Sequence, residues 1–187
     1  MRIIAGKLRG TQLNPIRNIG LNTNLRPTTD RIRENIFNII LGGRFGDRLQ
    51  KKRVLELFAG TGVFGIEAIS RGAASATLIE KDPAAFKLIQ SNIKITNTSE
   101  QITAIKSNAI KLGICKTKPF DLIFIDAPYR KNLGKLALER ALEKGWLSHN
   151  ALVVWEDNVV PQIPKEFTPI EEKRYGNTIL TFLKAPH

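Results

Sequence analysis

One cysteine and two histidines, in 187 residues, leave several chemistries without the side chains to carry them. Cys115 alone forms no intrachain disulfide and no cysteine-based zinc cluster. His149 and His187 are too few and too scattered for most metal sites, so no metal is expected. Acid is also scarce: 29 lysines and arginines face 17 aspartates and glutamates, a net charge of +12. No apolar run approaches the ~18 residues that span a bilayer, so a membrane protein is not expected. Residues Met1 to Gly10 lack the apolar block and small-residue cleavage pattern of a secretory leader, which makes the cytoplasm the expected compartment. At 42% hydrophobic and 25% charged, the composition is that of a globular chain rather than a disordered or collagen-like one.

The excess charge is uneven. Residues 1–53 carry 12 basic side chains against Asp30, Glu34 and Asp47, while residues 54–187 carry 17 against 14. Three quarters of the excess therefore precedes residue 54. Such an asymmetry reads either as a solvated surface or as a polyanion-binding arm in front of a nearly neutral domain. Arg2, Lys7, Arg9 and Arg26 are the candidate polyanion-binding side chains of such an arm.

Short apolar runs around Gly6 and Gly10 predict a small β-hairpin over Arg2–Leu13, and an Asn-, Pro- and Thr-rich loop follows to Thr29. Thr28 or Thr29 caps a helix carrying Ile32, Ile36, Phe37, Ile39 and Ile40, ended by Gly42, Gly43 and Gly46. From Arg53 the pattern alternates between strand and helix. Strands are predicted at Val54–Phe58, Ala76–Glu80, Ile102–Lys106, Phe120–Ile125 and Ala151–Trp155. Helices are predicted from Val63 to about Arg71, Pro83 to Ile95 and Leu133 to Lys144. A hairpin around Gly176-Asn177 joins strands over Ile170–Tyr175 and Thr178–Leu183. This order implies an α/β fold with a mostly parallel sheet covered on both faces and antiparallel strands at one edge.

Two motifs carry chemistry. Gly60-Thr61-Gly62-Val63-Phe64-Gly65 matches G-x-G-x-x-G between a strand and a helix, with Glu80 at the next strand end, 20 residues after Gly60. That is a nucleotide-type cofactor turn, with Glu80 placed for the two hydroxyls of a ribose. The pattern does not choose between NAD, which brings a pyrophosphate, and S-adenosylmethionine, which has none. Glu56, just before the turn, and the closing hairpin favour S-adenosylmethionine. The second motif, Asp126-Ala127-Pro128-Tyr129, ends the fourth strand, at the sheet edge where open α/β folds bind ligands. Asp126 and the Ala127 carbonyl can accept the two N–H bonds of an exocyclic amine. Pro128 stiffens the turn, and Tyr129 offers a ring for an extruded base.

Arg2-Ile3-Ile4-Ala5-Gly6-Lys7-Leu8-Arg9-Gly10, Leu25-Arg26-Pro27-Thr28-Thr29-Asp30-Arg31-Ile32-Arg33-Glu34-Asn35-Ile36-Phe37 and Leu55-Glu56-Leu57-Phe58-Ala59-Gly60-Thr61-Gly62 together resemble the RsmD-type methyltransferases. The resemblance covers nearly the whole chain. It implies a class I methyltransferase fold, with a seven-stranded sheet and an N-terminal hairpin-and-helix extension. The implied domains are residues 1–24, the basic extension, and 25–187, the methyltransferase domain. It implies methyl transfer from S-adenosylmethionine to N2 of one guanine in 16S rRNA of the bacterial small ribosomal subunit, by a protein acting as a monomer. The implied cofactor residues are Glu56, Ala59, Gly60, Gly62, Gly65, Glu80, Lys81, Asn108 and Ala109. Thr28, Arg31 and Glu34 would help close the site. Two departures stand out: Ala127 replaces the first proline of the usual Asp-Pro-Pro-Tyr, and Asn108 replaces an acidic residue. The alternatives are a DNA adenine-N6 or protein amide-nitrogen methyltransferase, and an RNA-binding assembly protein with a vestigial cofactor fold.

Overall fold

The computed structural model describes residues 1–15, 29–128 and 132–187. Thr28 and Arg26, and Tyr129 in the second motif, lie outside the described residues. Seven strands form one sheet: β1 (Arg53–Leu57), β2 (Ser75–Glu80), β3 (Ile102–Lys106), β4 (Phe120–Asp126), β5 (Leu147–Asp157), β6 (Thr168–Tyr175) and β7 (Thr178–Lys184). Their order is β3-β2-β1-β4-β5-β7-β6. The first five run parallel; β7 pairs antiparallel with β5 and β6 antiparallel with β7. The fold is the expected one, with α1 (Asp30–Leu41), α2 (Val63–Ser70), α3 (Pro83–Ile95) and α4 (Leu133–Glu143) on its faces.

Alternation along the strands divides the core. Val54, Leu78, Leu122, Phe124 and Val154 point to the face covered by α1, α2 and α3. Leu55, Leu57, Ile79, Ile123, Ile125 and Trp155 point to the face covered by α4. That period of two makes β1 and β4, buried on both faces, read as near-continuous apolar runs.

Local chemistry sets the helix starts. Thr29 caps α1, its hydroxyl accepting from the Ile32 amide at 3.3 Å. Asp82 caps α3 through the Ala84 and Ala85 amides, with Pro83 supplying the preset φ of a first helical turn. The α2 start has no capping side chain of its own, because Gly62 occupies that position with φ 74°.

The predicted N-terminal hairpin forms around the antiparallel bridge of Arg2 to Gln12, with the Ile3 amide donating to the Thr11 carbonyl and the Leu13 amide to the Met1 carbonyl, both at 3.0 Å. Its backbone is also tied to α2. The Ile4 and Ala5 amides donate to the Glu67 carboxylate at 2.8 and 3.0 Å, and the Leu8 amide donates to the Ser70 hydroxyl at 2.9 Å. Ile3 and Leu13 are buried in the core beneath. Strand β5 also begins four residues before the expected Ala151, continuing through Asn150 with φ 58°.

Candidate functional site

Strand β1 pairs with β2 on one side and β4 on the other, so consecutive connections leave it in opposite directions. That switch point opens a crevice at the carboxyl ends of the strands. Leu57 lies beside Ile125 in the register, which brings the turn after β1 and the turn after β4 out of adjacent strands, about 5 Å apart. The two sequence motifs thus meet at one edge.

The turn after β1 is held from three sides. The Ala59 amide donates to the Ile79 carbonyl at 3.0 Å. The Gly60 amide donates to one Glu80 carboxylate oxygen at 2.9 Å, and the Asp82 amide donates to the other at 2.8 Å. The Thr61 carbonyl accepts from the Asn92 side-chain amide at 3.0 Å. Gly60 and Gly62 have φ of 56° and 74°, a region that glycine enters without strain. Phe58, immediately before, has φ 60°, an unfavourable backbone for a bulky residue and a mark of strain beside the site. At Gly65 a Cβ would run into the Leu78 side chain, so this glycine lets α2 lie close to β2.

Glu56 is buried under the start of α2. Its carboxyl group accepts from the Phe64 amide at 3.3 Å and the Gly65 amide at 2.8 Å. Burial is the main reason its pKa is pushed up to about 8; the two amides oppose the shift and the nearby Glu80 charge adds to it. The amides at a helix start are where a dinucleotide fold places its pyrophosphate. Here Glu56 already takes them. The arrangement fits a nucleoside cofactor without phosphate and does not fit NAD. Glu80 spends one lone pair of each oxygen on backbone and retains acceptor capacity for ribose hydroxyls.

The remaining expected site residues fall around this edge. Asp126 is half-buried at the end of β4, in register with Glu156 of β5. Ala127 is buried and Pro128 exposed. The Asn108 side chain accepts from the Ile110 amide at 3.2 Å and caps the short 3-10 turn Ala109–Lys111, in which Ala109 is buried. Lys81 is exposed after β2, and Arg31 and Glu34 are exposed on α1. Arg2 and Arg9 are exposed, and the exposed Lys7 ammonium donates to Gln101 at 2.8 Å.

Sequence reading missed the buried polar ties. Glu67, fully buried, accepts from Arg71 at 2.7 Å and lies 3.7 Å from Arg33, also fully buried. Arg33 in turn donates to the Arg2 carbonyl at 2.6 Å and to Asp30 at 3.0 Å. The only local signal was Glu67 on an otherwise apolar helix, a charge that requires a partner when buried.

Comparison with known proteins agrees with this architecture. Residues 1–184 match the family described as Conserved hypothetical protein 95. The chain is 36% identical to a Ribosomal RNA small subunit methyltransferase D from Buchnera aphidicola, over 97% of this chain and 91% of that protein. It is 35% identical to the protein of the same name from Escherichia coli, over 94% of this chain and 85% of the relative. Among solved structures it resembles a putative methyltransferase from Escherichia coli with a TM-score of 0.80 and 32% identity, covering 100% of this chain and 98% of that one. With a family match over nearly its whole length, relatives at about 35% identity and a methyltransferase fold, the chain belongs to the RsmD-type methyltransferase family.

Proposed function

We propose that this protein methylates the exocyclic N2 of a guanine in the rRNA of the small ribosomal subunit, with S-adenosylmethionine as methyl donor. The observation that carries the reading is the emergence of Asp126-Ala127-Pro128 from β4 beside the Gly60–Gly65 turn of β1. The names of the relatives supply the rRNA, and the amine-holding turn supplies the nitrogen.

Bound donor supplies an electrophilic sulfonium methyl, which the nitrogen takes in one displacement. The protein's part is alignment. Glu80 holds the ribose, and the Gly60 and Gly62 backbone lets the cofactor approach closely. Asp126 accepts one N–H of the guanine amine and the Ala127 carbonyl accepts the other, turning the nitrogen lone pair toward the methyl. An aromatic amine is too weak an acid for a carboxylate to deprotonate beforehand. Asp126 therefore orients the amine and stabilises the positive charge that grows on it. The proton leaves to water afterwards. Tyr129 stacks on the extruded base, and Arg2, Lys7, Arg9 and Arg26 meet RNA phosphates.

The test is nucleoside mass mapping of 16S rRNA from cells with and without the protein, followed by methylation of the deficient subunits with purified enzyme. One N2-methylguanosine that vanishes and is restored supports the reading. A methyl on adenine N6, or none on RNA, overturns it.

A further inference from the structure

Asn92, on α3, is fully buried. Its side-chain oxygen accepts from the Asn14 backbone amide at 2.9 Å. Its side-chain nitrogen donates to the Thr61 carbonyl at 3.0 Å and to the Asn14 carbonyl at 3.3 Å. One amide therefore joins the N-terminal segment to the cofactor turn. The Thr61 hydroxyl reaches the Met1 sulfur, at 3.8 Å, from the same turn. The Glu67 and Ser70 ties hold the segment to α2 well past the turn and do not bridge the two.

We infer that Asn92 is a positioning residue that couples the N-terminal segment to the cofactor turn, so that RNA and cofactor bind with positive cooperativity. The inference rests on the proposed RNA substrate. Detaching the segment leaves the buried Asn92 amide without its Asn14 partners, which is unfavourable, and loosens the side chain that holds the Thr61 carbonyl. The two are therefore ordered together. RNA phosphates drawn to Arg2, Lys7 and Arg9 hold the segment against α3, and the turn then meets the cofactor with less freedom left to lose. By linkage, the cofactor tightens RNA to the same degree.

The experiment titrates S-adenosylhomocysteine into the full-length protein, alone and with saturating RNA. The RNA is a 16S transcript or small subunits from deficient cells, whichever the wild-type enzyme methylates. Wild type is expected to bind the cofactor product at least about fivefold more tightly with RNA, the lower end of ordinary coupling. Asn92→Ala breaks both ties. Asn92→Asp is isosteric, keeps the acceptor for the Asn14 amide and loses the donor to the Thr61 and Asn14 carbonyls. Both are expected to bring the ratio below about twofold. Ser91→Ala removes only a contact with the Asn14 side chain, 3.1 Å away, and is expected to keep the wild-type ratio. A wild-type ratio near one, or an unchanged ratio in either folded Asn92 variant, overturns the inference. The wild-type ratio tests it even if both variants fail to fold. Failure of wild type to methylate either RNA defeats the proposed function instead, and is read separately as methyl transfer.

Discussion

Two turns leave neighbouring strands at the same sheet edge, and they are built differently. The turn after β1 is fixed by Glu80, Asn92 and backbone, with Glu56 filling the helix start behind it. The turn after β4 runs from a half-buried Asp126 through a buried Ala127 to an exposed Pro128. The first is held by hydrogen bonds to elements distant in sequence; the second passes from half-buried to exposed within three residues. Under the proposed function, the first turn meets the cofactor and the second meets the extruded base.

The contrast is broken most sharply at Asp126. Asp126→Ala is expected to lower turnover by about two to three orders of magnitude, the scale seen when one group facing developing charge is removed. Cofactor affinity should stay within a few-fold, because the loss lies in the transition state. Single-turnover methylation beside calorimetric titration checks both, and a mutant with near-normal turnover excludes the alignment role.

In the turn after β1, Glu80→Ala frees the Gly60 and Asp82 amides and removes the proposed ribose acceptor. Cofactor binding is expected to weaken by about 1–3 kcal/mol. Unchanged affinity in a folded mutant removes Glu80 from the site.

Glu56 sharpens the comparison through pH. Its pKa in the folded protein, about 8, lies above the ordinary 4.5, so the folded state binds the extra proton more tightly than the unfolded one. Its contribution to stability is fully present below about 4.5 and is lost as pH rises through about 8. Glu56→Gln is neutral at every pH and should gain stability relative to wild type across that window. Thermal melts of both proteins from acid to mildly alkaline pH show this as a widening gap; parallel curves assign the titration to another group.

The smallest effect is expected from Ala127→Pro, which restores the proline of the related motif. A proline that fits the native backbone stabilises by about 0.4–1 kcal/mol by restricting the unfolded chain. The variant should melt slightly higher with turnover within a few-fold. A lower melting temperature means that the Ala127 backbone is incompatible with a proline ring.

Much of this edge was legible from local pattern. Pro83–Ile95 and Ile102–Lys106 fall where the Asp82-Pro83 start and the apolar spacing put them. The two motifs come to one edge because alternating strands and helices leave a parallel sheet few other arrangements. The hidden part is polar and distant in sequence. Asn92 meets Asn14 across 78 positions, and Glu67 meets Ile4 across 63. No periodicity announces such pairs, since one buried amide or carboxylate has no neighbour in the chain to betray its partner. The N-terminal hairpin was legible for its local pattern, but its ties to Glu67 were not. Glu56 stood out as a candidate beside the Gly-rich turn, but its role as a cap for α2 needed the fold.

Strand β7 follows β6 in the chain yet lies inside the sheet, between β5 and β6. During synthesis, β1 to β5 emerge first, and β5 is then an open edge carrying Val153, Val154 and Trp155. That edge is a template for pairing with any other nascent chain until Thr178–Lys184 arrives to cover it. Release of a product shortened before residue 178 thus yields a chain with both cofactor-edge turns translated and a sticky flank, a species fit for aggregation or degradation. Of the strands of this sheet, the one made after the others is the one that covers the β5 edge.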